Sequence, residues 1–228
     1  MKLISVYTQS HLVFKDNWFL PSLADDYDLE MHSCSVKGNG KYREDDWVQS
    51  VYFKSKTIVE SIEKYWGDIF VYSDCDIQFF KPTEKFLLEA IVGRDIVCQR
   101  DEPGPFGQLC TGFFVIRANK RTHNLWLKVS SCILEERRDQ HAFNRIIRKK
   151  RGRFLSLISN NCRFDYLPET FFSGGTLTGK QWNPGDELFV PENIVMHHAN
   201  WTEGVNNKIA QLEYVKNIVE SRKRSRNI

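Results

Sequence analysis

Two carboxylates one residue apart, Asp74-Cys75-Asp76, close the apolar run Ile69-Phe70-Val71-Tyr72-Ser73. A strand sends alternate side chains to one face, so both acids are expected to point the same way. They stand at the carboxyl end of that run, where open α/β sheets bind ligands. Hard oxygen donors in that place suit Mg²⁺ or Mn²⁺, and such an ion can bridge a diphosphate. A solvated turn would account for the same residues.

Three further groups carry chemistry. His197-His198-Ala199-Asn200-Trp201, followed by Gly204 and Lys208, offers neutral imidazoles to complete a metal shell and a lysine to meet a phosphate. The alternative is a buried, hydrogen-bonded histidine and a surface lysine. Asp139-Gln140, with Asn144 one turn on, could face an acceptor hydroxyl or cap a helix. The run Arg145–Arg153 (RIIRKKRGR) could bind nucleic acid or an anionic membrane. It lacks interleaved aromatics, and basic residues favour helix C-termini, so a solvated helix end explains it better. The glycine pair Gly174-Gly175 has neither dinucleotide-binding nor Walker spacing, and no HExxH or G-x-S-x-G is present.

Elements that could position these groups follow from periodicity. Leu3 to Tyr7 reads as a strand running into polar Thr8-Gln9-Ser10. Residues 47–66 read as a helix, with Val51, Ile58, Val59, Ile62 and Tyr65 on one side. Strands are expected at 69–72, 95–99, 111–117 and 194–196, and helices at 86–92, 123–134, 140–149 and 207–221. Residues 101–107 read as a loop, 158–190 as irregular, and 222–228 as a frayed basic tail. Alternating strands and helices imply one α/β domain over 1–221, with a mixed, mostly parallel sheet flanked by helices.

Bulk composition is consistent with this. The chain has 228 residues, 41% hydrophobic and 27% charged, with a net charge of +3. That balance excludes disorder and does not require a nucleic-acid partner. The N-terminal residues MKLISVYTQSHLVF do not read as a signal peptide, and no apolar run is long enough to span a membrane, so a soluble, cytoplasmic chain is expected. The six cysteines show no CxxC or zinc spacing, and reduced, mostly buried thiols are expected.

The order strand-DxD, then TGFFVIRAN, then DQHAFN, then a histidine segment ending in Asn-Trp and a glycine resembles the nucleotide-diphospho-sugar transferase family of GT-A, Rossmann-like fold. Plant arabinosyl- and xylosyltransferases and, more distantly, glycogenin-like enzymes are relatives. The resemblance covers roughly residues 50–210 and rests on four short motifs in order. It implies a glycosyltransferase using Mn²⁺ (or Mg²⁺) and a nucleotide-sugar donor, UDP-linked rather than GDP-linked, to glycosylate a glycan or glycoprotein.

On that resemblance Asp74 and Asp76 hold metal and diphosphate, with Asp74 also near the ribose. His198 is the third ligand, with His197 the fallback, and Asn200 belongs to the same segment. Gly204 and Lys208 meet the β-phosphate. Lys56 faces the nucleotide, with Lys54 the near alternative, and Thr8, Gln9 and Ser10 border the base. Thr111 and Gly112 lie near the transferred sugar, and Asp139 and Gln140 beside the anomeric carbon. Relatives mostly retain configuration; in an inverting enzyme Asp139 would be the base. Cys75 and Thr111 depart from the usual residues, and 170–190 matches nothing in the family. A metal-dependent nucleotidyltransferase or phosphodiesterase, or a nucleic-acid-binding module using 145–153, remain the alternatives.

Overall fold

A computed structural model describes residues 1–36, 44–104, 106–148 and 161–226. Strand β1 (Lys2–Thr8) leads into a helical stretch made of a 3₁₀ turn (Gln9–His11), α1 (Leu12–Phe14), a π turn (Lys15–Phe19) and α2 (Leu20–Ser22). Strand β2 (Asp28–Cys34) precedes the long helix α3 (Asp45–Lys64). In α3 Val48, Val51, Ile58 and Ile62 are buried at helical spacing, and acids in the first turn and Lys64 in the last complement the helix dipole.

Next come β3 (Ile69–Ser73), β4 (Ile77–Phe79), α4 (Glu84–Ala90), β5 (Ile96–Arg100) and β6 (Leu109–Arg117). Helix α5 (Lys120–Glu136) starts at an Asn119–Thr122 capping box, and α6 (Asp139–Ile147) follows it. The chain ends with β7 (Phe164–Tyr166), β8 (Phe171–Ser173), α7 (Gly174–Thr178), β9 (Met196–His198) and α8 (Val205–Arg226).

The main sheet has the order β2-β1-β3-β6-β5-β7. Its pairings are parallel except those of β6, which runs against both β3 and β5. The expected mixed, mostly parallel sheet with helices on both faces is therefore present. Strand pleating divides its side chains: Phe70 and Tyr72 join a core with Ile58, Trp126 and Phe143, while Val71 joins one with Phe14, Phe19 and Leu212. A small second sheet, β4-β9-β8, packs beside it. Among the described residues no helix is long and apolar enough to cross a membrane.

Three expectations change. The 158–190 region carries β7, β8 and α7 in its described part, because Phe171 and Phe172 are buried strand residues. The strand expected at 194–196 sits at Met196–His198, which puts both histidines in the sheet. In the stretch expected as a tail, α8 continues to Arg226, and Arg222 donates to the carbonyls of Val190 and Pro191. Residues 149–153 of the basic run lie outside the described residues.

Candidate metal and diphosphate site

The two motif carboxylates converge, but not by strand alternation. Strand β3 ends at Ser73 and the chain bends through 74–76 before β4 begins at Ile77. Each end of the bend is tied to a different sheet. Asp74 N–H donates to Gly112 O of β6 at 2.7 Å, and Ala199 N–H, just past β9, donates to Asp76 O at 2.9 Å. The acids therefore meet because two sheets dock. With His198 they offer three ligand atoms within 4.8 Å of one another.

Asp76 is 4% exposed, and its Oδ1 lies 3.3 Å from His198 Nε2. Lys208 of α8 donates to its Oδ2. Burial opposes ionisation of Asp76, but Lys208 and His198 outweigh it and hold the carboxyl well below the usual range. Lys208 itself is pulled down by burial and raised on balance by Asp76, so it is a cation here.

Asp74 is the more open acid. Tyr72 Oη donates to its Oδ1 at 2.9 Å, and Lys54 Nζ approaches at 3.1 Å and, on the other side, Asp139 Oδ2 at 3.3 Å. Lys54 is buried, yet Asp74 and Asp139 more than offset the burial and keep it charged. Three carboxylates thus face two lysines, leaving one net negative charge beside the His198 ring. The space among the ligands depends on Gly112. A Cβ there would lie 2.4 Å from His198 Cε1 and 2.7 Å from Asp74 Oδ2. Two carboxylates and an imidazole around a cleared space fit a divalent cation.

A second network adjoins the first. Thr111 Oγ1 donates to Asp139 Oδ2 at 2.9 Å, and Thr111 N–H donates to Gln140 Oε1 at 3.3 Å. Gln140 Nε2 donates to Asp101 Oδ2 at 2.6 Å, and Asn200 Nδ2 donates to Asp101 Oδ1. Burial pushes the Asp101 carboxyl up to about 6 despite these donors. Asn144 serves structure instead, closing a pair of hydrogen bonds with the Leu109 backbone.

Other expected residues are placed less centrally. Thr8 and Ser10 hydroxyls each lie 3.0 Å from His11 Nδ1, and His11 is held below its ordinary pKa by burial and by Lys208. That pair therefore borders the site through His11, whereas Gln9 is exposed. Gly204 is also exposed; its φ of +85° shapes the turn into α8, and its carbonyl accepts from Lys208 N–H.

Lys56 is not the lysine of the site: it points outward, over Tyr52. Lys54 is, since it falls on the buried face of α3 with Val51 and Ile58. That intrusion into an apolar stripe was the readable signal. His197 points away from His198, stacks on Phe172, and is depressed to about 3 by burial and by His198. In the basic run Arg145 pairs with Glu136, and Arg148 donates to the carbonyls of Phe106 and Gly107 and to Tyr166 Oη. Sequence reasoning missed Tyr72, Gln99, Asp101 and His11; only the position of Gln99 and Asp101 at a strand end hinted at them.

A search of curated proteins finds no match. Among solved structures, a glycosyltransferase involved in the glycosylation of the major capsid of PBCV-1 superposes with TM-score 0.55 at 11% identity, covering 94% of this chain and 98% of that one. The Streptococcus pneumoniae TIGR4 glycosyltransferase GlyE gives 0.54 at 9% identity over 97% of this chain and 63% of its own. Mouse xyloside xylosyltransferase 1 gives 0.51 at 10% identity over 87% and 97%. At such identities these likenesses establish a shared GT-A architecture. The model of the nucleotide-diphospho-sugar transferases matches residues 18–212, from the N-terminal helical stretch to α8, and by that match this chain belongs to the family and is a glycosyltransferase.

Proposed function

We propose that the chain transfers a sugar from a nucleotide-diphosphate sugar, UDP-linked in preference to GDP-linked, to a hydroxyl of a glycan or glycoprotein, with retention. Asp74, Asp76 and His198 hold Mn²⁺ or Mg²⁺. The observation that carries this is the convergence of those three ligand atoms within 4.8 Å, flanked by Lys54 and Lys208. The preference for uridine and for retention rests on family resemblance.

The cation supplies Lewis-acid neutralisation of the leaving diphosphate. Lys208, already a cation against Asp76, is placed to add to that neutralisation. Lys54 links Asp74 to Asp139, so the donor side and the sugar side of the site share one counter-charge. Asp139 is engaged by Lys54 and Thr111, which ties it into the site's network. Thr111 and Gln140 line the sugar side, and Thr8, Ser10 and His11 the nucleoside side.

The test is a panel of UDP- and GDP-sugars with Mn²⁺, scored for released nucleotide. Slow donor hydrolysis is expected without acceptor and should stop with EDTA. Asp76→Ala and His198→Ala should abolish metal-dependent donor binding without unfolding the chain. No sugar-nucleotide turnover, together with indifference to EDTA, overturns the reading. Turnover of NTPs or phosphodiesters without preference for sugar nucleotides favours phosphoryl chemistry instead.

A further inference from the structure

Gln99 is fully buried at the point where the β5–β6 register slips, between Cys98 and Arg100. A bulge re-aims a side chain, and this one sends the Gln99 amide from the main sheet across to the small one. Its Nε2 donates to Phe171 O at 3.1 Å and to Phe172 O at 3.0 Å. Both partners are carbonyls, so the amide nitrogen must face them and its orientation is determined. The amide oxygen is left facing His198 Nδ1 at 2.9 Å.

That contact decides the histidine. An amide oxygen only accepts, so His198 Nδ1 carries the proton, and in the neutral ring Nε2 carries the lone pair. Nε2 is the atom 3.3 Å from Asp76 Oδ1. Two acceptors facing each other at that distance repel unless a cation, either a metal ion or a second ring proton on Nε2, lies between them.

We infer that Gln99 is a positioning residue that fixes His198 as the Nδ1–H tautomer and so presents its Nε2 lone pair to the cation site. This rests on the reading of Asp74, Asp76 and His198 as that site. Orientation of a ligating histidine through its second nitrogen is a general device, and its removal typically weakens metal affinity by about 10–100-fold.

The test uses the full chain, metal-free and labelled with ¹⁵N-histidine, at a pH where the ring is neutral. The His198 signals are identified by their absence in His198→Ala. The expected result is a protonated Nδ1 and a bare Nε2. Gln99→Met should release the tautomer and weaken Mn²⁺ binding by about 10–100-fold, read by titration of free Mn²⁺.

Gln99→Glu keeps an oxygen acceptor opposite Nδ1 while giving up the amide donors to Phe171 and Phe172. It should therefore retain the tautomer, whereas a purely structural role predicts equal damage from both variants. A protonated Nε2 in the parent chain, or a tautomer unmoved in Gln99→Met, overturns the proposal. If Gln99→Met does not fold, the parent spectrum decides alone. Failure of the parent to bind Mn²⁺ would instead count against the cation site, with the tautomer still readable.

Discussion

Gly112→Ala is the sharpest probe of the site, because one methyl tests the geometry of two ligands. The added Cβ would stand 2.4 Å from His198 Cε1 and 2.7 Å from Asp74 Oδ2. Ordinary non-bonded carbon contacts are ~3.5–4.0 Å, so the ring must retreat by about 1 Å. His198 cannot retreat freely: it is 3% exposed, with Gln99 at 2.9 Å and Cys110 Sγ at 3.7 Å on its Nδ1 side. Metal–ligand distances tolerate only about 0.2 Å, so the displacement exceeds the tolerance several-fold.

Mn²⁺ affinity should fall by at least the ~10–100-fold typical of a disturbed supporting group. The metal-free fold should lose about 1–3 kcal/mol from overpacking, read as a lower melting temperature. Gly93→Ala is the control. It has φ +71° and nothing within 4 Å of its Cβ, so it strains the backbone and leaves the site alone. It should cost about 1–2 kcal/mol of stability with Mn²⁺ binding unchanged. A Gly112→Ala chain that binds Mn²⁺ as tightly as the parent refutes the reasoning.

The two lysines of α3 separate a buried role from a surface one. Lys54→Met strands Asp74 and Asp139 and should cost about 3–5 kcal/mol in metal-free denaturation, while Lys56→Met should stay within ~0.5 kcal/mol; equal effects would remove Lys54 from the site. Asp101 gives a pH dependence of definite sign. Its carboxyl lies at about 6 when folded against ~3.9 unfolded, so the native state holds the proton more tightly. The contribution is full below pH ~4 and lost as pH rises through ~6, on the order of 3 kcal/mol. Asp101→Asn should flatten the stability slope across that window in urea denaturation, and parallel slopes would sink the assignment.

What the sequence disclosed and what it withheld divide along a physical line. The apolar stripe of α3, the run Ile69–Ser73 and the nine-residue β6 were legible because burial imposes a period on side chains. The candidate ligands Asp74, Asp76 and His198, which the structure brings together, were legible because such residue types are rare in that order. Strand β2 was not, since the alternation of Leu29 and Met31 in DLEMHSC is short, sits among charged residues and stays half-exposed beside β1, its partner among the described residues. The choice between Lys54 and Lys56 needed the helix phase to be taken literally: two residues on a helix face different sides. Asp101 and Gln99 were invisible as chemistry because their partners, Gln140, Asn200, Phe171 and His198, are distant in the chain.

The motif itself acquires a different meaning in three dimensions. Asp74 is held to the main sheet through Gly112 O, and Asp76 to the small sheet through Ala199 N–H. Gln99 crosses the same boundary in the opposite sense, from β5 to the β8 carbonyls and to His198 of β9. The ligand set therefore exists only where the two sheets are docked, and no single element carries it. The intervening residue is then constrained as well. Cys75 is 2% exposed at the bend, belongs to the same core as Ile77, Phe113 and Leu212, and its thiol donates to the His11 carbonyl at 3.8 Å. A small side chain fits that buried bend, whereas the acids on either side answer to the cations beside them, Lys54 and Lys208.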